Sequence, residues 1–268
     1  MIPALFRARR VAVVGDPDQF PPVITMKKSR NEVLREKYGL STFEANKYSF
    51  CENNVFSVIP RGDTQTIRLV EHFRCMDEIA MYFNEEFYKG GLCPCVGDRS
   101  NQGYNAYNLK PGMAWIDAPG GDAAEIAAAL DYLKSLHQSG FTGSVGVISP
   151  LRKLANEMKT QCHNRRAEMP SGLTDDRINT ANGFQGGQCD VVLFLLGLNS
   201  ARTPGRDHWY ITADENKYIY NVSVSRAKVC FTTFGDKKLA LKSGISRIVK
   251  LIPESRKPTS PKVGPGEA

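Results

Sequence analysis

A mostly parallel α/β sheet with helices on both faces is the fold class this sequence predicts. Three observations carry that expectation. Val191-Val-Leu-Phe-Leu-Leu196 is a near-unbroken apolar run bounded by Asp190 and Gly197, the pattern of a strand buried on both faces. Similar short runs stand at Val145 to Ser149 and at Val229 to Phe234. Stretches with helical apolar spacing lie between such runs, and strands alternating with helices predict a parallel, doubly covered sheet.

Taken in order, Val11 to Val14 reads as a short buried strand, and Gly15-Asp16-Pro17 turns sharply after it. That turn would hold Gln19 on a rigid loop, at the end of a strand where α/β sheets place ligands. Asn31 to Lys37 reads as a short helix, Ser41-Thr-Phe-Glu44 as a capped helix start, and Pro60 to Asp63 as a turn. Ile67 to Val70 reads as a strand. From Met76 to Tyr88 the apolar residues Met76, Ile79, Ala80, Phe83 and Phe87 follow helical spacing. Asp77 and Glu78 sit at the start of this helix, where acids suit its dipole, so they are assigned no metal. Lys89-Gly-Gly ends it.

Residues 93 to 112 read as a loop, and Met113 to Asp117 as a strand. Asp122 then opens a helix, with Glu125 completing a variant capping box. Ile126, Ala127, Leu130 and Leu133 would be its buried stripe, and Gly140 its end. After the strand at Val145 to Ser149, Pro150 fits the first turn of a helix over about 151–168. Leu151, Leu154, Ala155, Met158 and Cys162 share one stripe of that helix. Arg152, Lys159, His163 and Arg166 share the adjacent one, which suits either tracking phosphates or simple solvation. Asn221 to Lys228 reads as a helix before the strand Val229 to Phe234. Trp209 to Glu215 has the look of a strand ending in an acidic pair, and it is given no metal role. From Pro253 the chain turns Pro/Ser/Lys/Gly-rich and reads as a disordered tail.

The 268 residues, 41% apolar and 24% charged, match an ordinary globular chain. No apolar run approaches the ~20 residues of a membrane span, so no membrane role is expected. The seven cysteines have no framework spacing. Cys93-Pro-Cys95 is too tight for a zinc knuckle, so reduced thiols and no metal are expected. The net charge of +7 favours a polyanionic partner. Arg226, isolated among small and apolar residues, suits a phosphate because its guanidinium is planar and permanently charged.

Five blocks in order give a more specific reading. Gly15-Asp-Pro-Asp-Gln-Phe-Pro-Pro22 resembles motif III of superfamily 1 helicases. Phe73-Arg74 resembles their aromatic-arginine block, Val147-Ile-Ser-Pro150 motif IV, Thr180-Ala-Asn-Gly-Phe-Gln-Gly186 motif V, and Asn221-Val-Ser-Val-Ser-Arg-Ala-Lys228 motif VI. Their order and spacing are similar to the subgroup of the nonsense-mediated-decay and nidovirus helicases. The resemblance implies a RecA-like fold of P-loop NTPase type, working as part of an ATP- and Mg²⁺-dependent motor on single-stranded DNA or RNA. It implies that residues 1–24 close a first RecA-like domain, 25–252 form the second, and 253–268 are the tail.

By motif position, Gln19 would sense the γ-phosphate, and Arg74 and Arg226 would act on it as arginine fingers. Phe73 would stack on the base, with Gln185, Gly186 and Gln188 lining the nucleotide cleft. Ser149, Pro150 and Thr180 would touch the nucleic-acid backbone, with Arg152 and Lys159 beside them. Two positions depart from the family pattern: Gln188 stands for its usual Glu and Asn182 for a frequent Asp, so nucleotide affinity at the first is expected to fall. No Gly-x-x-x-x-Gly-Lys-Ser/Thr phosphate loop occurs in the sequence. The cradle and the Mg²⁺ ligands are therefore expected from a first domain in cis or in trans, and this chain alone is expected to be inactive. The alternative is a non-hydrolysing module that docks nucleic acid or another helicase. Either reading suits the cytoplasm, or the nucleus of a eukaryote.

Overall fold

A computed structural model describes residues 7–20, 26–40, 67–97, 103–107, 109–184, 187–200 and 205–253, with single positions 42, 46, 49, 53, 54 and 58. The expected capped start at Ser41–Glu44 lies largely outside the described residues, and the turn at 60–63 and the tail beyond Pro253 lie wholly outside them. The chain divides into two compact units, Met1–Leu69 and Val70–Ala268.

In the first unit, helix α1 (Lys28–Lys37) spans the predicted helix. The Arg35 guanidinium donates to the Leu40 carbonyl from Nε (3.1 Å) and Nη2 (2.9 Å) and folds the chain back after the helix. The Asp16 turn forms as expected. The Asp18 N–H donates to Asp16 Oδ1 at 2.9 Å, and the Gln19 N–H to the Asp16 carbonyl at 3.3 Å. The strand expected at Val11 to Val14 does not form. No described strand hydrogen-bonds to this segment, and Val14 is 92% exposed.

The second unit holds short strand β1 (Glu71–His72), helix α2 (Asp77–Glu86) and short strand β2 (Cys93–Pro94), then β3 (Gly112–Asp117), α3 (Asp122–Gln138), β4 (Val145–Ser149) and α4 (Arg152–Asn164). It continues with β5 (Leu173–Thr180), β6 (Cys189–Leu195), α5 (Arg206–Thr212), α6 (Tyr218–Val224), β7 (Ala227–Gly235), α7 (Lys237–Ser243) and α8 (Ser246–Val249). Five strands form one all-parallel sheet in the order β3-β7-β6-β4-β5. The two most apolar strands take its centre, where both faces are shielded, with Val191 to Leu195 registered against Cys230 to Phe234.

Helices cover both faces, and the aromatic contacts show it. Phe231 and Phe234, three residues apart on β7, point to opposite faces. Phe231 packs on Phe194, which meets Tyr220 of α6 edge-on at 5.9 Å. Phe234 meets Tyr132 of α3 at 5.8 Å. This is the predicted fold class, a RecA-like α/β sheet.

Most of the predicted stripes are buried as expected. Met76, Ile79, Ala80, Phe83 and Phe87 are core residues of α2 and its flanks, and Leu151, Leu154, Ala155, Met158 and Cys162 are core residues of α4 and its cap. Helix α3 differs in phase: its buried residues are Ile126, Ala129, Leu133 and Leu136, while Ala127 is exposed. The reason is Glu125. It is fully buried, and its carboxylate accepts the Gly197 N–H at 2.8 and 3.1 Å. That bond ties the helix start to the end of β6 and sets its rotation. Gly121, at φ 79°, takes the cap position instead.

Further segments depart from expectation. Ile67 to Val70 is not a strand; the Val70 carbonyl accepts the Cys93 N–H at 2.7 Å, and Leu69 is 82% exposed. The residues 93 to 112 include β2 and a 3-10 turn, Tyr104–Tyr107. Pro150 precedes the helix cap, Leu151, instead of sitting in the first turn. The Trp209 segment is helical (α5), with Ile211 turned inward and the Thr212 hydroxyl bonded to the His208 carbonyl.

Candidate functional site

An open cleft of about 590 Å³ is lined by Glu71, His72, Phe73, Arg74, Gln188 and Lys228. Three segments build it: the exit of β1, and the residues just before β6 and at the start of β7. Gln188 and Lys228 therefore sit at the amino ends of the two central strands.

The segment after β1 is fastened to the start of β7. The Met76 N–H donates to the Lys228 carbonyl at 2.9 Å, and Arg74 Nη1 donates to the Ser225 carbonyl at 3.3 Å. The His72 Nε2 accepts the Cys75 N–H at 3.0 Å, so the ring is held as the neutral tautomer with its proton on Nδ1. Burial pushes the His72 pKa below its ordinary value, and the Arg74 charge adds to this while Asp77 opposes it. The turn so formed projects Phe73, 65% exposed. An exposed aromatic face of this kind is able to stack on a planar ligand.

Arg226 is the unusual group. It sits in the turn between α6 and β7 and is only 4% exposed. Its Nε donates to the Val222 carbonyl at 3.1 Å and its Nη1 to the Gly187 carbonyl at 3.2 Å. Among the described residues no carboxylate pairs with it. Burial lowers its pKa, and the neighbouring Arg74 charge lowers it further. A cation buried without a counter-charge and beside a second cation is costly, and an incoming anion would relieve it.

Lys228 is anchored differently. Its Nζ stands 3.7 Å from Asp190 Oδ1. Asp190 Oδ2 in turn accepts the Ser144 N–H (2.8 Å) and hydroxyl (2.6 Å). Burial works against the Asp190 carboxylate, but the two Ser144 bonds and Lys228 together hold its pKa below the usual range. Sequence reasoning passed over His72 and Lys228, although both lie inside or beside blocks it used.

The remaining predicted residues lie elsewhere. Thr180 is half-buried at the carboxyl end of β5, and Ser149 ends β4 beside it in register. They occupy the opposite end of the sheet from the cleft, a strand length or roughly 17 Å away. Ser149 is 1% exposed and its hydroxyl accepts the Leu151 N–H at 3.2 Å; Pro150 is buried as well. Both are thus turned inward. Arg152 is exposed and Lys159 half-buried on α4. Gln19 belongs to the first unit, where its Nε2 donates to Asp16 Oδ2 at 3.0 Å. Gln185 and Gly186 lie outside the described residues. No group of three or more His, Cys, Asp or Glu side chains able to hold a metal occurs among the described residues.

β5 and β6 flank β4, and the described residues 181–184 and 187–188 lie between them in the chain. Phe184 is buried and lies against Gly146 of β4; a Cβ on Gly146 would stand 2.6 Å from Phe184 Cζ. Gly187, three residues on, supplies the carbonyl that holds Arg226.

The fold is a RecA-like α/β sheet in which an aromatic-arginine turn stands beside a buried arginine. The AAA domain family profile matches residues 51–238, and the chain belongs to that family, as a superfamily 1 helicase domain. It is 24% identical over 281 residues to Helicase SEN1 of Saccharomyces cerevisiae, an alignment covering 92% of this chain and 11% of that protein. It is 22% identical over 210 residues to Helicase sen1 of Schizosaccharomyces pombe, covering 72% and 11%. It is 22% identical over 215 residues to the DNA polymerase alpha-associated DNA helicase A of S. cerevisiae, covering 70% and 29%. The chain thus spans less than a third of each of these relatives.

Proposed function

We propose that this chain is the C-terminal motor domain of an ATP-dependent superfamily 1 DNA or RNA helicase, and that the cleft is its half of the ATP site. The observation that supports this most is the pair Arg74 and Arg226. They are neighbours, neither forms an ion pair with a described residue, and one is buried. Such a pair suits a polyphosphate better than any neutral ligand. Phe73 would stack on the base, Gln188 would accept from a ribose hydroxyl through its carbonyl, and Arg74 and Arg226 would neutralise the γ-phosphate as bond breaking spreads charge over its oxygens. Arg226 is held in place by backbone carbonyls, so it is preorganised and costs little to reorient.

The residues 1–24, with Gln19, would complete a first RecA-like domain that brings the phosphate loop and the Mg²⁺ ligands, in cis or in trans. The chain alone would then bind nucleotide weakly and not hydrolyse it. Thr180, Arg152 and Lys159, at the far end of the sheet and along α4, would form part of the strand track by contacting phosphates. Ser149 and Pro150 would shape the turn that carries Arg152. Among the described residues no helix is long and apolar enough to cross a membrane.

Strand-stimulated ATP hydrolysis tests this reading. The expected result is no turnover by the chain alone and turnover when it is joined to its phosphate-loop domain. A loss of ~10³-fold or more is expected on Arg226→Ala in the joined form. A joined form that binds strands but never hydrolyses ATP would replace the motor with a docking module.

A further inference from the structure

Cys93 and Cys95 lie outside the cleft and play no part in the nucleotide reading, yet their placement is not that of two inert thiols. Both are exposed, and their Sγ atoms stand 4.0 Å apart. The reason is local. Residues two apart on a strand project to one face, and Cys93 and Cys95 use alternate N–H groups to bond the β1 chain: Cys93 N–H to the Val70 carbonyl (2.7 Å) and Cys95 N–H to the His72 carbonyl (2.9 Å). Pro94 between them has a fixed φ and no N–H to lose.

We propose that Cys93 and Cys95 form an intrachain dithiol–disulfide site that reacts with low-molecular-weight disulfides, and that closing it loosens the β1–β2 clamp holding Phe73 and Arg74. In the reaction, one cysteine thiolate attacks a sulfur of the small disulfide RSSR, forming a protein–S–S–R bond and releasing one thiolate RS⁻. The second cysteine then loses its proton and attacks the protein sulfur of that bond, releasing the second RS⁻. The two cysteine sulfurs give up two electrons, RSSR gains them, and the two cysteine protons end on two molecules of RSH. No other oxidant is needed.

The structural consequence follows from chain geometry. The two Sγ atoms stand 4.0 Å apart, and a disulfide brings them to about 2.0 Å. With the Pro94 φ fixed between them, closing the bridge shifts the Cys93–Cys95 backbone. The groups that then move are the N–H donors to Val70 and His72. His72 is the residue immediately before Phe73, so the clamp and the projecting turn are coupled through one backbone. Burial, followed by the Cys93 thiol, raises the Cys95 pKa, so exchange is faster in mildly alkaline buffer, where more thiolate is present.

The test uses the full chain. It is equilibrated with glutathione disulfide, residual thiols are alkylated, and trypsin releases Gly90–Arg99, which holds both cysteines and no others. The expected product is that peptide, unalkylated and lighter than the dithiol by about 2 Da. Cys95→Ser should instead yield a single glutathione adduct on Cys93. Recovery of a doubly alkylated or doubly glutathionylated peptide from the unaltered chain would overturn the site. Amide hydrogen exchange at positions 93 and 95, whose N–H groups make the clamp bonds, and at Cys75, whose N–H is held by His72, then tests the coupling. Oxidation should speed it by about tenfold or more in the unaltered chain and leave it unchanged in Cys95→Ser. A bridge that forms without changing that exchange would overturn the clamp.

Discussion

Replacing Gly146 with Ala tests how the β5–β6 connection is held. The added Cβ would meet Phe184 Cζ at 2.6 Å, Phe184 Cε2 at 3.1 Å and Cys189 Sγ at 3.1 Å. Carbon atoms pack at about 3.5–4.0 Å, so the ring must retreat by about 1 Å. Phe184 is 4% exposed and Cys189 fully buried, so neither has open space to move into. Overpacking of this kind costs about 1–3 kcal/mol. For a unit of this size that is a fall in Tm of about 2–12 °C. The Gly146 backbone is not in the left-handed region, so the cost comes from contact alone.

The assay is a double-mutant cycle by urea unfolding, with Gly146→Ala, Phe184→Leu and the pair. Removing the ring makes room for the methyl, so the pair should be more stable than the sum of the single changes by about 1 kcal/mol or more. Simple additivity would refute the claim that Phe184 packs against Gly146. Because Gly187 holds Arg226, the single Gly146→Ala change should also weaken nucleotide binding.

Glu125→Ala should destabilise the chain by about 1–3 kcal/mol, because the bond to the buried Gly197 N–H is lost; a change within error in urea melts would show that this bond does not hold the helix start. His72 gives a pH dependence. Its folded pKa is depressed, so the unfolded chain takes up the proton first as pH falls through about 6.5. The stabilisation is present above that value and is lost between it and the lower folded pKa. Urea midpoints should thus fall between about pH 7.5 and about pH 5.5 by more in the unaltered chain than in His72→Gln, and parallel curves would contradict the assignment.

The sheet was legible because its central strands are apolar without interruption. Val191 to Leu196 can be nothing but a doubly buried strand or helix core, and its length and flanks choose the strand. The stripe of α4 was legible for a similar reason: five apolar residues stand against a charged background. Helix α3 was not, since nearly every position in Ala123 to Leu130 is small or apolar and its phase is set by one buried carboxylate bonding across to Gly197. Val11 to Val14 and Ile67 to Val70 have strand-like composition, but a strand exists only where a neighbour pairs with it, and sequence does not report the neighbour. Of the residues singled out by motif, Phe73, Arg74 and Gln188 line one cleft, and Arg226 bonds the carbonyl of Gly187 next to Gln188. Lys228 and His72 were missed because their roles come from contacts: an ion pair with Asp190 and a bond to the Cys75 N–H. The orientation of Ser149 was not legible, because motif position does not tell which way a hydroxyl turns.

The claim that Arg74 and Arg226 face a γ-phosphate is tested most directly by the ratio of affinities for a non-hydrolysable ATP analogue and for ADP, measured on the chain joined to its phosphate-loop domain. The unaltered protein should prefer the triphosphate, and Arg226→Ala should abolish most of that preference while leaving ADP affinity nearly unchanged. If Arg226→Ala weakens both nucleotides equally, or neither, the arginine pair does not read the γ-phosphate and the cleft is not the triphosphate half-site proposed for it.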